Sequence, residues 1–176
     1  LVENEGISFV GPNSRVIQQA GSKDEAKQLA RSLNVSVTPG EDRIAALTLL
    51  KTAGDAPGEY FHKQIKKHDL IVDENWEAVE PLDQAEIILQ ASYAKHVDLF
   101  PISALQEETV STVESLWQKF PGKRIRFKHV SGGGGKGQRI VSSIDEVADA
   151  VMAVLIESKA AGVGDNKNFL IELNFE

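Results

Sequence analysis

The chain has 176 residues, of which 41% are hydrophobic and 26% charged, proportions typical of one soluble globular domain or two small ones. The net charge of −7 argues against a general nucleic-acid binder, and the absence of cysteine excludes disulfides and thiolate metal sites. No apolar stretch is long enough to span a bilayer. Because the chain begins at Leu1 and ends at Phe175-Glu176 inside a predicted strand, we expect it to be a piece of a larger protein.

Residues 1–40 predict the end of an α/β subdomain with two strands and two helices. The second helix has a clear start, because Ser22 and Glu25 form a capping box ahead of apolar residues at helical spacing. The breaker pairs Gly11-Pro12 and Pro39-Gly40 close the two strands. The predicted elements are a strand at 7–10, a helix at 14–20, a helix that starts at Ser22, and a strand at 35–37.

The middle of the chain, residues 41–103, is predicted to be mostly helical. Trp76, Tyr93 and Leu99 indicate a small core of its own. The basic cluster at residues 63–68 is typical of a solvated helix face. The helices are placed at 44–52, 60–68 and 82–97.

Residues 104–176 predict helix, strand, glycine loop, strand, helix and strand in that order. Both helices are predicted to start with a capping box, formed by Ser103 with Gln106 and by Ser143 with Glu146. The helices are placed at 104–119 and 144–159, and the strands at 125–127, 139–141 and 169–173. The first of these strands alternates with Arg124, Arg126 and Lys128, which would put three cations on one face.

The most informative feature is the glycine run between Lys128 and Arg139. Ordering a residue's backbone costs about 1–2 kcal/mol, and glycine loses the most freedom. Four consecutive glycines are therefore expected only where the main chain approaches a ligand closely or has to move. The cations on both sides of the run indicate that such a ligand would be an anion.

Three kinds of glycine loop are candidates for this run. A P-loop is excluded, because Lys136 precedes Gly137 rather than Ser or Thr and the run leads into a strand. A Rossmann loop also needs to enter a helix. A loop between antiparallel strands that folds over a phosphate chain fits the pattern, with a mobile linker as the alternative.

Three stretches in this order resemble the biotin carboxylases of the ATP-grasp superfamily. The stretch Lys128–Arg139, KHVSGGGGKGQR, resembles the nucleotide-lid motif, with matching spacing from Lys128 to Lys136. Residues 6–40 resemble the stretch with a Gly-Pro strand end, a lysine at a helix start and a closing Pro-Gly. Phe169–Glu172 resembles the strand that carries the adenine-contacting acid.

The resemblance implies an α+β or α/β fold with three parts. Residues 1–40 would be the end of the pre-ATP-grasp subdomain, and residues 41–103 a mostly helical insertion. Residues 104–176 would form the ATP-grasp lid subdomain of antiparallel strands with helices, holding an incomplete nucleotide site.

The resemblance also implies an ATP site. Lys23 and Lys128 match the two phosphate-binding lysines, and Glu172 matches the acid that accepts a hydrogen bond from the adenine amino group. The backbone of Leu173 would follow along the adenine edge. The lid residues that would close on the phosphates are Gly133, Gly134, Gly135, Lys136 and Gly137. No catalytic and no metal-binding residue is assigned to this chain.

Several residues depart from the family pattern where adenine and phosphate would bind. Arg126 stands in place of an aliphatic residue, and Gln138 in place of a common methionine. Leu173 and Asn174 replace a more usual Lys-Tyr pair. Around the start of the glycine run the departures are His129, Val130 and Ser131.

The implied activity is that of a ligase in a biotin-dependent carboxylase, such as an acyl-CoA carboxylase. ATP with Mg²⁺ would activate bicarbonate, and biotin on a partner domain would be carboxylated. The metal ligands, the bicarbonate-binding arginine and the base are expected downstream of this chain. We therefore expect the isolated piece to be inactive and to bind ATP weakly or not at all.

The implied partners are the rest of the biotin carboxylase domain and the biotinyl carrier and carboxyltransferase domains. No nucleic-acid or membrane partner is expected, and the implied location is cytoplasmic. Two alternatives stay open at this stage. One is another ATP-grasp ligase, similar to carbamoyl phosphate synthase, and the other is a degenerate ATP-grasp module that acts as an interaction scaffold.

Overall fold

The structure, a computed structural model, describes part of the chain in two compact units, residues 1–38 and 39–176. The described residues are 5–6, 9–14, 16–17, 23–130, 138–160 and 166–175, without the side chains of Asp24 and Ser158.

In the first unit, helix α1 spans Lys23–Ser32 as the sequence predicts. Its predicted N-cap Ser22 lies outside the described residues, as do most of the strand and helix predicted ahead of it. The strand predicted at 35–37 is wrong, because these residues have no regular secondary structure. A strand needs a neighbour to bond its backbone groups, and in the described part of this unit residues 35–37 have none.

The second unit combines helices with an antiparallel sheet, and each helix and strand predicted there is confirmed, with ends shifted by a few residues. Its helices are α2 (Ile44–Ala53), α3 (Pro57–His68), α4 (Pro81–Ala94), α5 (Ile102–Lys119) and α6 (Val147–Ala160). Its strands are β1 (Gly40–Glu41), β2 (Ile125–His129), β3 (Gln138–Val141) and β4 (Phe169–Leu173). Short 3₁₀ turns cover Trp76–Ala78 and Ile144–Glu146.

Helix α5 begins earlier than the sequence predicts. Pro101 is its N-cap residue, with extended backbone and no side-chain cap, so the capping box of Ser103 and Gln106 is wrong. The fixed φ of proline suits a helix start, and the Pro101 carbonyl accepts from Ala104 N–H at 3.2 Å. Gln106 instead donates from Nε2 to the Ala148 carbonyl at 3.0 Å, which ties α5 to α6.

The sheet has the strand order β1-β4-β2-β3, and each neighbouring pair is antiparallel. Strand β2 therefore lies between β4 and β3. Ile125, Phe127 and His129 point to one face and are fully buried. The Phe127 ring packs against Phe169 of β4, with 5.7 Å between ring centroids.

Helix α6 covers this buried face, and Arg139 of β3 forms an ion pair with Glu157 of α6, with 2.8 Å between Nη1 and Oε2. The same hydrophobic core continues into the helices of residues 41–103, and it includes Ile44, Leu49, Phe61, Ile88, Leu105, Ile125 and Phe127.

Burial raises the pKa of Tyr93, whose hydroxyl accepts from the Lys167 backbone N–H at 3.3 Å. None of the helices described is long and apolar enough to cross a membrane.

Gly40 of β1 lies against the backbone of β4, opposite Glu172. A Cβ on Gly40 would come within 2.7 Å of Glu172 Cα and closer still to the Ile171 carbonyl oxygen. Because these are backbone atoms, Gly40→Ala has to displace β1 from β4. We expect it to lower the free energy of unfolding by about 1–3 kcal/mol, as overpacking does.

The matched control is Gly58→Ala in α3. A Cβ at Gly58 meets nothing within 4 Å. Alanine is the better helix former, so this change should alter the free energy of unfolding by no more than about 1 kcal/mol. Urea unfolding of both variants measures the difference, and a Gly40→Ala protein as stable as the wild type would contradict the close approach.

Candidate functional site

The pairing of β2 with β4 brings Lys128 and Glu172 into contact. In this pair Arg126 lies opposite Glu172, and Lys128 lies opposite Leu170. Lys128 is therefore a diagonal neighbour of Glu172, within reach of a long side chain. Lys128 Nζ donates to Glu172 Oε1 in an ion pair on the sheet face opposite Phe127.

The ion pair is largely withdrawn from water. The side chains of Lys128 and Glu172 are 26% and 10% exposed. A buried charge is costly unless it is paired, so each group compensates the other. Two of the residues that the sequence predicts for the ATP site thus lie together, and their charges are complementary.

A second cluster lies on the same face. Arg126 donates from Nε and Nη2 to Asn174 Oδ1, the first bond at 2.9 Å. Its Nη1 donates to Gln138 Oε1 at 3.4 Å. We call the face that carries Arg126, Lys128, Gln138, Glu172 and Asn174 the polar face.

The cluster joins three positions at which the sequence departs from the biotin carboxylase pattern. Arg126 of β2 bonds both to Gln138 of β3 and to Asn174, the residue after β4, although the three are far apart in sequence. Asn174 is 6% exposed, and its Nδ2 is buried without a hydrogen-bond partner in the part of the chain that the structure describes. Each departure was visible in the sequence, but that they form one cluster was missed.

The other predicted site residues have separate positions. Lys23 is the first residue of α1 in the first unit and is half-buried. The Leu173 side chain is buried, and its backbone N–H donates to the Pro39 carbonyl at 3.0 Å. Strands β2 and β3, which the glycine run connects, pair antiparallel as predicted. The predicted lid residues Gly133, Gly134, Gly135, Lys136 and Gly137 lie outside the described residues.

The described residues offer no metal centre. Among them, no group of three or more His, Asp or Glu side chains is placed to hold a metal ion. The chemistry of the polar face is therefore that of two cations, one carboxylate and two amides. Such a set can bind a phosphate-bearing molecule that also carries a hydrogen-bond donor for Glu172.

No protein-family model matches the chain. It is 27% identical over 159 residues to the pyruvate carboxylase of Bacillus subtilis, an alignment that covers 90% of this chain and 8% of that protein.

Two solved structures have a similar fold. One is the biotin carboxylase domain dimer of the Hydrogenobacter thermophilus 2-oxoglutarate carboxylase in complex with MgADP, ADP and bicarbonate, with a TM-score of 0.52 and 18% identity. The other is the Campylobacter jejuni biotin carboxylase in complex with β,γ-ATP, with a TM-score of 0.55 and 16% identity. Each alignment covers 99% of this chain, but only 24% and 25% of the respective structures.

These comparisons confirm the resemblance to biotin carboxylases that the motifs indicate. At such identities the two structures show the fold alone, and it agrees with the α+β architecture of antiparallel strands and helices expected from the sequence. The chain spans about a quarter of either structure and a smaller part of the pyruvate carboxylase.

Proposed function

We propose that this chain is the lid-bearing part of a biotin carboxylase-like ATP-grasp ligase, which uses ATP and bicarbonate to carboxylate biotin. The observation that carries the proposal is the contact of Lys128 with Glu172 on one face of a sheet whose strands β2 and β3 are joined by the glycine run. The similar solved structures hold MgADP with bicarbonate in one case and β,γ-ATP in the other, which supports a nucleotide as the ligand.

In this proposal different charged side chains contact different parts of the nucleotide. Lys128 holds phosphate oxygens, and Glu172 accepts a hydrogen bond from the adenine amino group. The phosphate contact that the resemblance implies for Lys23 remains a separate prediction. The backbone of Leu173 lies along the adenine edge. The lid residues Gly133, Gly134, Gly135, Lys136 and Gly137 donate backbone N–H groups to the phosphates. Fixed cations and amides of this kind stabilise charge on a transferring phosphoryl group.

Nucleotide binding would exchange one set of partners for another. Without nucleotide, Lys128 and Glu172 compensate each other. On binding, a phosphate oxygen replaces the carboxylate at Lys128 Nζ, and the amino group of the base replaces the ammonium at Glu172. The pair therefore keeps both charges compensated in the low-dielectric surroundings until the ligand arrives.

The proposal places the remaining chemistry outside this chain. Mg²⁺, when bound with ATP, neutralises phosphate charge, and its ligands belong to another part of the protein. We propose that the biotinyl carrier and carboxyltransferase domains, together with the rest of the biotin carboxylase domain, are the partners, and that the protein works in the cytoplasm. The division into residues 1–40, 41–103 and 104–176 remains part of this proposal.

A second candidate is a degenerate module that acts as an interaction scaffold. It is favoured by the internal bonding of the polar face, because Lys128, Glu172 and Arg126 all bond to side chains of the protein itself. On this alternative the ion pair only stabilises the sheet, and no nucleotide binds.

The proposal predicts where activity is found. The natural protein that contains this chain should release ADP from ATP only when bicarbonate is present, with free biotin as the acceptor. The isolated 176-residue chain should show no such activity. ADP release is measured in a coupled assay, with and without bicarbonate.

Two results would contradict it. Bicarbonate-dependent hydrolysis by the isolated chain would contradict its role as a part of the enzyme. A natural protein that binds no ATP and hydrolyses none would favour the scaffold.

A further inference from the structure

Arg126 is held on the polar face in a fixed orientation. Its Nε and Nη2 both donate to Asn174 Oδ1, and its Nη1 donates to Gln138 Oε1. At least three of the five guanidinium N–H groups are therefore used in the plane of the group, at two of its edges. Because Gln138 on β3 and Asn174 after β4 both accept from Arg126, its side chain has little freedom to rotate.

Arg126 is a neighbour of both Lys128 and Glu172 in the sheet. It lies directly opposite Glu172 in the β2–β4 pair, and two residues before Lys128 on β2. Residues directly opposite on antiparallel strands have Cβ atoms about 5 Å apart. Residues two apart along a strand are separated by roughly 7 Å. A base that stacks on Arg126 would therefore lie beside both Glu172 and Lys128.

We propose that the guanidinium of Arg126 is the platform on which the base of the nucleotide stacks, with Asn174 and Gln138 as positioning residues that hold it flat. The inference rests on the proposed function and names how that site holds the base. A planar guanidinium stacks well on an aromatic ring, and here it takes the place of an aliphatic side chain.

The hydrogen bonds favour stacking over a phosphate contact for Arg126. An arginine that binds phosphate does so through the N–H groups of its edges, usually two at a time. In Arg126 the Nε–Nη2 edge already donates to Asn174, and Nη1 to Gln138. Its flat faces keep their ability to stack when the edges are bonded, which assigns the phosphates to Lys128 instead.

The test compares a ligand that has a base with one that has none. Binding of Mg-ATP and of inorganic tripolyphosphate to the natural protein is measured by titration calorimetry, with Arg126→Lys as the main variant. Lysine keeps the charge but lacks the planar group. We expect Arg126→Lys to weaken ATP binding about tenfold and to leave tripolyphosphate binding unchanged.

Two further variants keep the test interpretable. Arg126→Leu restores an aliphatic platform and should bind ATP more tightly than Arg126→Lys. Arg43→Lys is the matched control, because Arg43 is also held by side-chain acceptors, Asp83 and Glu86 of α4, and is not part of the polar face. It should bind both ligands as the wild type does. Thermal unfolding without ligand checks that each variant is folded.

The possible failures are distinct. Wild-type ATP affinity in Arg126→Lys would overturn the stacking role, and so would an equal loss of ATP and tripolyphosphate binding, which indicates a phosphate contact. A wild-type protein that binds neither ligand would overturn the proposed function, and this inference with it.

Discussion

Replacing Lys128 with methionine is expected to weaken binding of Mg-ATP to the natural protein about 10- to 150-fold, the equivalent of a charged hydrogen bond of about 1.5–3 kcal/mol. Lys128 lies on β2, which is paired on both sides, so its ammonium group is held by a rigid part of the sheet. Its side chain is only 26% exposed, so solvent screens its charge incompletely. Methionine has a similar length and removes the charge alone.

The control for this variant is Lys51→Met. Lys51 also pairs with a carboxylate, that of Glu108 at 2.9 Å, but its side chain is 63% exposed and lies on α2. It should keep wild-type ATP affinity. Thermal unfolding without ligand is needed for Lys128→Met, because Glu172 is left as a buried charge. Folded Lys128→Met protein with the same affinity as Lys51→Met would contradict a phosphate contact at Lys128.

Much of the second unit could be predicted from hydrophobic periodicity. The alternation around Ile125 and Phe127 predicted both the strand and the face on which Arg126 and Lys128 lie, because side chains alternate along a strand. The long helices were predictable in the same way, because their apolar residues recur at helical spacing. The ends of the helices were less predictable, since the N-cap residue of α5 is Pro101 rather than a polar residue.

The contacts of the polar face could not be predicted, because alternation does not fix the register between strands. Arg126 meets Asn174 and Gln138 only because β2 pairs with both β3 and β4 at particular offsets. The ion pair of Lys128 with Glu172 depends on the same register. The resemblance to biotin carboxylases predicted that Lys128 and Glu172 belong to one site, but not that they touch.

The close approach at Gly40 illustrates the same limit. The pair Pro39-Gly40 predicted the end of a strand, which is a local property, whereas a strand begins at Gly40 in the structure. The reason that alanine would not fit there is the backbone of β4, more than a hundred residues later in the chain. Similarly, Glu146 accepts from the backbone N–H of Ser142, not of Ser143, at 2.8 Å, and Ser143 makes no side-chain cap, so the second capping box is wrong as well.

Exchanging the two charges separates a binding role of the ion pair from a structural one. In the double variant Lys128→Glu with Glu172→Lys, the two groups still attract each other across β2 and β4. The new lysine at position 172 lies opposite Arg126, and such a like-charge pair costs less than about 1 kcal/mol. The melting temperature should therefore fall by no more than about 5 °C.

For the ligand, by contrast, the charges at positions 128 and 172 have the opposite sign in this variant. A carboxylate at position 128 repels phosphate oxygens, and an ammonium at position 172 accepts no hydrogen bond from an amino group. The loss of ATP affinity should exceed that of Lys128→Met alone. A purely structural ion pair predicts the opposite result, because the pair itself survives the exchange.

The most direct test of a nucleotide-binding polar face is thus calorimetric titration of Mg-ATP into the natural protein and into the charge-exchanged double variant. The proposal predicts that the double variant melts within about 5 °C of the wild type but shows no detectable ATP binding. A folded double variant that binds ATP with wild-type affinity would contradict it.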